Sequence, residues 1–291
     1  MKKFLFLLSL VPAVFCADLV ICSFNRPMQL YALLESIDQR VSGVDEVLVI
    51  CRSDDEYKTG YDIVQKDFPK ARFFFQPNSA RCRSSFKPLF VKSVYDRKLA
   101  ASSHVVFLMD DMLVLESIDL RVGENLLNDN PNIYGFYYRL GKNIIKQNFT
   151  ITRDLVVPKL TSVGEDIYTW QFYAGTSDWH YQNNLDGTMY RKSQIQAAIT
   201  NMEYVDPNTL ESNWQRYNKA KGTAACHGHS KTINIPMNIV NTSWQNKIIG
   251  NYTTKELNEL FLAGKKMDIY SLDSSLVTSV HQDIAFEFID R

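Results

Sequence analysis

Short apolar runs alternate with amphipathic segments from Asp18 to about Tyr138, and this alternation constrains the fold more than any other feature of the sequence. The runs D-L-V-I-C-S, E-V-L-V-I-C, A-R-F-F-F-Q, V-V-F-L-M and I-Y-G-F-Y-Y have the length and the β-branched or aromatic content of strands. The segments between the first four runs have the periodicity of helices. The sequence therefore predicts an α/β fold with a doubly wound, mostly parallel sheet and helices on both faces.

The pattern becomes irregular after Tyr138. The sequence contains no repeat, low-complexity tract or linker that would separate two domains. We therefore expect a single domain over residues 18–291, with a regular half over 18–140 and an irregular α+β half over 141–291.

The N-terminus begins with Met1-Lys2-Lys3 and continues with an apolar run of about a dozen residues, the proportions of a secretory signal. We expect a signal peptide over 1–17 and export to a periplasmic, secreted or lumenal location, with a retained N-terminal anchor as the alternative. No later segment is long and apolar enough to cross a bilayer, so no stable membrane span is expected after cleavage.

The charge balance limits the class of partner. Thirty-two basic and thirty-two acidic residues cancel, which removes the global electrostatic reason to expect nucleic acid. An anionic ligand would need a local basic patch, and Arg81, Arg83 and Lys87 supply one. Arginine is suited to bidentate phosphate contacts. The alternative for these residues is a solvated surface loop.

Two adjacent aspartates, Asp110 and Asp111, directly follow the apolar run V-V-F-L-M. Neighbouring carboxylates repel each other and are costly to dehydrate. A bound divalent cation would offset both costs, and hard oxygen donors suit Mg²⁺ or Mn²⁺. The alternative is that the pair caps a following helix, where anionic side chains are also favoured.

Other polar residues also lie just past the ends of apolar runs, among them Asn25, Arg26, Asp54 and Asp55. Ligands of doubly wound sheets bind beyond the carboxyl ends of the strands. One ligand could therefore contact these residues and the aspartate pair together.

The segment S-F-N-R-P (23–27), followed by L-L-E-S-I (33–37), resembles the opening of family 2-like glycosyltransferases. The segment F-L-M-D-D-M (107–112) resembles their aspartate-rich D-x-D-type motif, although its two acids are adjacent instead of separated by one residue. This resemblance extends over 18–140.

The resemblance implies a glycosyltransferase A fold, in which 18–140 binds a nucleotide-sugar donor and 141–291 binds a hydroxyl-bearing acceptor. It also implies a Mn²⁺ or Mg²⁺ ion that joins the donor diphosphate to the aspartates, and whether Asp110 or Asp111 is the ligand stays open. Asn25 and Arg26 would border the nucleotide. Asp54 or Asp55, which follow the second strand, would contact the base or the ribose of the nucleotide. The residues expected to contact the donor are Asn25, Arg26, Asp54, Asp55, Arg83 and Lys87.

Many folds of this kind take a further metal ligand from their C-terminal part, for which His281 and His229 are the candidates here. Cys226 and His229 also show the spacing of half a soft-metal site, and no second pair with this spacing follows.

Inverting sugar transfer needs a general base that deprotonates the acceptor hydroxyl. Glu211, in N-T-L-E-S-N-W, resembles the acid that begins an acceptor-site helix in these enzymes, and Asp186, in L-D-G-T, is the second candidate. Their structural alternatives are an ordinary helix glutamate and a turn aspartate. Trp179 lies between Asp178 and His180, and this polar setting predicts a ring that stacks on a sugar. The alternative is a tryptophan of the core.

The leading hypothesis is therefore a metal-dependent, inverting glycosyltransferase. Two alternatives remain: an exported, catalytically inactive glycan-binding module on the same fold, and a metal-dependent nucleotidyltransferase. The sequence contains neither a G-x-S-x-G nor a P-loop motif, which disfavours a hydrolase of that type or a P-loop NTPase.

Overall fold

The computed structural model describes residues 17–78, 82–148, 152–217, 222–240, 252–284 and 287–291. Its α-helices are α1 (Pro27–Arg40), α2 (Lys58–Asp67), α3 (Cys82–Tyr95), α4 (Leu120–Asp129), α5 (Lys192–Asn201), α6 (Pro207–Tyr217) and α7 (Thr254–Leu262). The strands in the first half of the chain are β1 (Ala17–Phe24), β2 (Val41–Ser42), β3 (Val44–Arg52), β4 (Ala71–Phe75), β5 (His104–Met109), β6 (Met112–Val114), β7 (Ile118–Asp119) and β8 (Ile133–Tyr137). The strands in the second half are β9 (Lys146–Gln147), β10 (Arg153–Asp154), β11 (Thr161–Gly164), β12 (Ile167–Gln171), β13 (Thr188–Arg191), β14 (Thr223–His227), β15 (Thr232–Asn234), β16 (Lys265–Met267) and β17 (Phe288–Asp290).

Nine strands of the described residues form one sheet in the order β11-β12-β14-β8-β13-β5-β1-β3-β4. Strands β4, β3, β1 and β5 are parallel neighbours and correspond to the first four predicted strands. The rest of the sheet is mixed, because β8 and β14 are parallel whereas β13, β12 and β11 run antiparallel to their neighbours. The predicted α/β class with an irregular second half is confirmed, and the parallel group is formed by the N-terminal strands.

Strand β13 separates β8, the fifth predicted strand, from this parallel group and pairs antiparallel with both β5 and β8. The chain enters β13 through Gly187, whose φ is +66°. Glycine adopts this conformation readily because it has no Cβ, and a Cβ here would lie 2.8 Å from Thr232 Oγ1. Strand β13 has only four residues, T-M-Y-R, too few to show a strand period, so the sequence predicted the turn but not the strand.

Helix α1 positions the first candidate residues. It begins at Pro27, whose fixed φ suits the first helical turn. Because β1 ends at Phe24, the connection between β1 and α1 consists of Asn25 and Arg26. The buried apolar residues that hold α1 against the rest of the core include Met28, Leu30, Leu33, Leu34 and Ile37.

Within the described ranges, no helix combines the length and the apolar content that a bilayer span requires. Residues 1–16, which contain nearly all of the predicted signal, lie outside the described residues, so export stays a prediction.

Candidate functional site

Asp110 and Asp111 form the turn between β5 and β6 at the carboxyl end of β5. The backbone fixes this aspartate turn on both sides: the N–H of Asp110 donates to Cys22 O at 3.1 Å, and Asp111 O accepts from the Ile235 N–H at 2.8 Å. Since a strand and not a helix follows the two acids, the interpretation of the pair as a helix cap is wrong.

Arg26 is the counter-ion of both aspartates. Its Nη1 lies 2.9 Å from Asp110 Oδ1 and 2.8 Å from Asp111 Oδ2. The other carboxylate oxygens accept hydrogen bonds from the Phe24 backbone N–H at 2.9 Å and from Asn234 Nδ2 at 2.8 Å. Burial raises the pKa of Asp110 to about 6, against the lowering effect of Arg26. One guanidinium therefore offsets one of two adjacent carboxylate charges.

The same guanidinium also holds the segment after β15. Arg26 Nε donates to Asn238 Oδ1 at 2.8 Å, and Nη2 donates to the Asn238 carbonyl oxygen at 2.5 Å. Gln29, one turn further along α1, contacts Asn238 Oδ1 at 3.5 Å. Arg26 is buried, so its charge is directed at these groups and not at solvent.

A cavity of about 420 Å³ opens beside the aspartate turn, at the carboxyl ends of the parallel strands. Its lining includes Ser23, Phe24, Asn25, Arg52, Asp54, Gln76, Arg83, Met109, Asn208, Ile239 and Val240. The cavity reaches the turn through Met109, which precedes Asp110. The prediction that polar residues at these strand ends meet at one edge therefore holds for Asn25, Asp54 and the aspartates.

Asn25 and Asp54 clamp the ends of β1 and β3 together. Asn25 Nδ2 donates to Asp54 Oδ2 at 2.6 Å, and the Asp54 N–H donates to Asn25 Oδ1 at 2.8 Å. Asn25 has a φ of +52°, a left-handed conformation that asparagine tolerates better than most residues. The clamp gives this rim of the cavity a fixed shape.

The other predicted donor residues are divided between the cavity and its surroundings. Arg83 lines the cavity. Arg26 is not among the lining residues, because its guanidinium pairs with Asp110 and Asp111. Asp55 lies outside the lining and accepts a hydrogen bond from Asn78 Nδ2 at 3.0 Å. Lys87 also lies outside it, and its Nζ pairs with Glu203 Oε1 at 2.9 Å. Arg81 is outside the described residues.

Sequence reasoning missed Arg52 at the cavity. Its guanidinium lies 4.2 Å from the ring centroid of Phe24, in cation–π contact. The available signal was its position as the last residue of β3, at the same sheet edge as the residues that were predicted.

Two further acids, Asp186 and Glu211, lie close to each other. Glu211, in the second turn of α6, accepts a hydrogen bond from the Leu185 N–H at 2.6 Å, next to Asp186. Burial raises the pKa of Glu211 to about 8, and the charge of Asp186 adds to this shift. Burial also raises the pKa of Asp186, against the effect of His281, and the charge of Asp111 acts in the raising direction. Electrostatics therefore links Asp186 with the aspartate turn, and Glu211 with Asp186.

Arg139 supplies the positive charge for this acid pair, and the sequence analysis did not identify it. Its Nη1 lies 3.1 Å from Asp178 Oδ1, and its charge lowers the pKa values of Asp186 and Glu211. Arg139 is buried. An arginine directly after the apolar run I-Y-G-F-Y-Y was the signal that could have identified it, since a buried cation needs acidic partners.

His281 lies near the site, whereas Cys226 and His229 do not form a metal pair. His281 Nε2 is 3.8 Å from Asp186 Oδ2, and the His281 segment forms a bridge with Asn234, the partner of Asp111. Cys226 is buried inside β14, and His229 is 3.2 Å from Glu116. The soft-metal interpretation is wrong, because in β14 the Cys226 side chain packs in the core while His229 lies beyond the strand end.

Trp179 is a core residue and does not stack on a sugar. Its ring is fully buried, packs edge-to-face on Trp170 at 4.9 Å and donates from Nε1 to the Ile144 carbonyl oxygen at 3.0 Å. The prediction was wrong because the polar neighbours in sequence lie in a 3-10 turn that directs the indole inward.

The donor atoms around Asp111 are of the kind that Mg²⁺ and Mn²⁺ bind. Asn234 Oδ1 and Gln29 Oε1 are buried amide oxygens with no hydrogen-bond partner among the described residues. The side chain of Asp111 is 12% exposed and that of Asp110 is 2% exposed, so Asp111 is the more accessible acid. Across the described ranges, no three His, Cys, Asp or Glu side chains converge into a complete metal site. A cation here would take part of its coordination from substrate phosphates and water, as Mg²⁺ commonly does.

No family model matches the chain. The chain is 26% identical over 155 residues to the bifunctional glycosyltransferase pgtA of Dictyostelium discoideum, and the match covers 50% of this chain and 19% of that protein. The predicted resemblance to glycosyltransferases is confirmed by this similarity, while the chain spans only a fraction of the relative's length.

Two solved structures are also similar. TarS of S. aureus superimposes with a TM-score of 0.40 and 16% identity, over 62% of this chain and 29% of that chain. A 4-diphosphocytidyl-2C-methyl-D-erythritol synthase superimposes with a TM-score of 0.38 and 14% identity, over 69% of this chain and 84% of that chain. TM-scores of this size do not establish a common fold.

Proposed function

We propose that this protein is a metal-dependent glycosyltransferase that moves a sugar from a nucleotide-sugar donor to a hydroxyl group of a glycan or other acceptor. The observation that carries the proposal is the continuity of cavity, aspartate turn and acid pair. Phe24 lines the cavity and donates its N–H to Asp110, and the charge of Asp111 acts on Asp186. The similarity to a glycosyltransferase over half of the chain supports the same class.

The cavity would hold the nucleotide, since its volume of about 420 Å³ is typical of small-molecule sites. Asp54, fixed by Asn25 at the rim, would accept a hydrogen bond from the base or ribose. Arg52 and Arg83 would supply positive charge to the diphosphate.

Asp111 would hold Mn²⁺ or Mg²⁺, with the amide oxygen of Asn234 beside it. A bound divalent cation would neutralise charge on the departing nucleoside diphosphate. Asp110 would fix the turn, because its oxygens are engaged by Arg26 and by the Phe24 N–H.

Asp186 would be the general base. Burial raises the pKa of Glu211 to about 8, and its carboxyl group anchors Leu185. Burial raises the pKa of Asp186 as well, but His281, 3.8 Å away, acts in the lowering direction and favours the ionised form of Asp186. In the proposed inverting step, the acceptor oxygen bonds to the anomeric carbon as the bond from that carbon to the diphosphate oxygen breaks. The hydroxyl proton passes to Asp186.

The test is turnover of a panel of UDP-, GDP- and CDP-sugars with Mn²⁺ by the purified protein, compared with Asp111→Asn. Asp62→Asn is the matched control, since Asp62 is an exposed partner of Lys58 on α2. We expect turnover that Asp111→Asn abolishes and Asp62→Asn leaves unchanged.

Two results would contradict the proposal, and each would support one of the alternative functions. Glycan binding that survives chelation, in a folded protein without turnover, would identify a binding module. Use of a nucleoside triphosphate in preference to every nucleotide sugar would identify a nucleotidyltransferase.

A further inference from the structure

We propose that Arg26 is an exchangeable counter-ion of the aspartate turn: it holds Asp111 when no divalent cation is bound, and the cation displaces it from Asp111. Arg26 is then a positioning residue that links the cation site to the wall of the donor cavity. This inference rests on the proposed function, because it takes Asp111 as the cation ligand.

The charge balance of the turn supports this exchange. Two carboxylates share a single guanidinium nitrogen, Nη1, at 2.9 and 2.8 Å. All three side chains are at least 88% buried, since the arginine is 7% exposed and the acids are 2% and 12% exposed. The cluster therefore keeps one unit of uncompensated negative charge in a poorly solvated place, which favours a further cation.

The geometry assigns the exchange to Asp111 and leaves Asp110 paired. Asp110 is the more deeply buried acid, and its second oxygen is fixed by the Phe24 N–H within the sheet edge. Asp111 is the more exposed acid, and its second oxygen accepts from a side chain, the Asn234 amide, instead of from the backbone. When Asp111 turns to a cation, Arg26 keeps one carboxylate partner, so the guanidinium is not left buried and unpaired.

The other nitrogens of Arg26 connect this exchange to the donor cavity. Nε and Nη2 bind the side-chain and backbone oxygens of Asn238, and the next two residues, Ile239 and Val240, line the cavity. A guanidinium can bridge the two sets of oxygens because its donors form a rigid planar fork, which a lysine ammonium lacks. When Arg26 moves relative to the aspartates, its hydrogen bonds to Asn238 therefore also change, and with them the position of the cavity wall that follows Asn238.

The test measures Mn²⁺ binding directly, by electron paramagnetic resonance of free Mn²⁺, together with thermal unfolding in Mn²⁺ and in chelator. The variants are Arg26→Gln, which removes the counter-ion, and Arg26→Lys, which keeps the charge without the fork. Arg121→Gln is the matched control, because it removes an exposed arginine that pairs with Asp119 on the surface.

We expect Arg26→Gln to bind Mn²⁺ about tenfold or more tightly than the unchanged protein. In the variant, Mn²⁺ no longer has to displace the Arg26 guanidinium from Asp111, so the free energy of that charged hydrogen bond is not lost on binding. Mn²⁺ should also raise its melting temperature by more than that of the unchanged protein. Arg26→Lys should lie between the two, which keeps the test decisive if Arg26→Gln does not fold, and Arg121→Gln should bind like the unchanged protein.

Two contrary results are distinguishable. Saturable Mn²⁺ binding that Asp111→Asn abolishes, with equal or weaker affinity in both Arg26 variants, would overturn the exchange and leave the proposed function intact. Absence of Mn²⁺ binding in the folded unchanged protein and in both Arg26 variants would overturn the cation site and this inference together.

Discussion

Glu211 Oε1 accepts a hydrogen bond from the backbone N–H of Leu185 at 2.6 Å. This bond joins helix α6 to the turn before β13 and places the Glu211 carboxyl group next to Asp186. Burial and the neighbouring charge raise the pKa of Glu211 to about 8, which favours Glu211 as a protonated anchor and leaves Asp186 as the proposed base. This division of roles is open to direct tests.

The first prediction compares the two acids. Asp186→Asn should lower sugar transfer by about a hundredfold or more, because it removes the proposed general base. Glu211→Gln should lower transfer by less than about tenfold near neutral pH, because a glutamine resembles a protonated glutamate and its oxygen can still accept the Leu185 N–H. The measurement is the transfer rate of both variants at saturating donor. A larger loss in Glu211→Gln would reverse the assignment.

The second prediction concerns pH and stability. The pKa of Glu211 rises from 4.5 to about 8 on folding, so between these values the folded state binds more protons, and stability falls as the pH rises. Asp18 and Asp110 act in the same direction, but their pKa values are raised only to about 6. Thermal unfolding should therefore show a loss of stability from pH 6 to pH 8 that Glu211→Gln reduces. An equal loss in the variant would contradict the raised pKa.

The third prediction separates two cations of helix α3. Arg83 lines the cavity, so Arg83→Ala should weaken nucleotide-sugar binding by about tenfold, the effect of a lost charged hydrogen bond. Lys87 pairs with Glu203 outside the cavity, so Lys87→Ala should change the affinity by less than about twofold. Calorimetric titration of both variants checks this difference. Equal losses would mean that the diphosphate reaches further along α3 than the cavity does.

The fourth prediction tests the clamp between Asn25 and Asp54. Asn25→Gly removes both hydrogen bonds and should cost about 1–2 kcal/mol of unfolding free energy. Asn25→Ala also forces an alanine to hold a φ of +52°, and should cost about 1 kcal/mol more than glycine. Denaturant unfolding of the two variants measures this order. An alanine variant as stable as the glycine variant would show that the backbone can relax here.

The sequence predicted the parallel half of the fold, and the polar residues at the carboxyl ends of its strands, for a physical reason. Strand and helix periods are local properties, and the carboxyl ends of parallel strands share one edge by construction. Asn25, Asp54 and the aspartate turn were therefore expected near each other, although their hydrogen bonds were not.

Features that depend on contacts distant in sequence were not predictable. Strand β13 is too short to carry a period, and Arg26 pairs with acids 84 and 85 residues away, which no local pattern encodes. Trp179 was misassigned because polarity of the neighbours in sequence was taken for polarity of the neighbours in space. Arg139 was missed for the same reason, since its acidic partners lie on other elements.

The most direct test of the central claim is the thermal stability of the purified protein and of Asp111→Asn, with Mn²⁺ and each nucleotide sugar. A ligand at one hundred times its dissociation constant adds about 2.7 kcal/mol to the native state. We predict a rise in melting temperature with one class of nucleotide sugar that requires both Mn²⁺ and Asp111. No rise in the folded protein with any donor, or an equal rise in Asp111→Asn, would contradict the account.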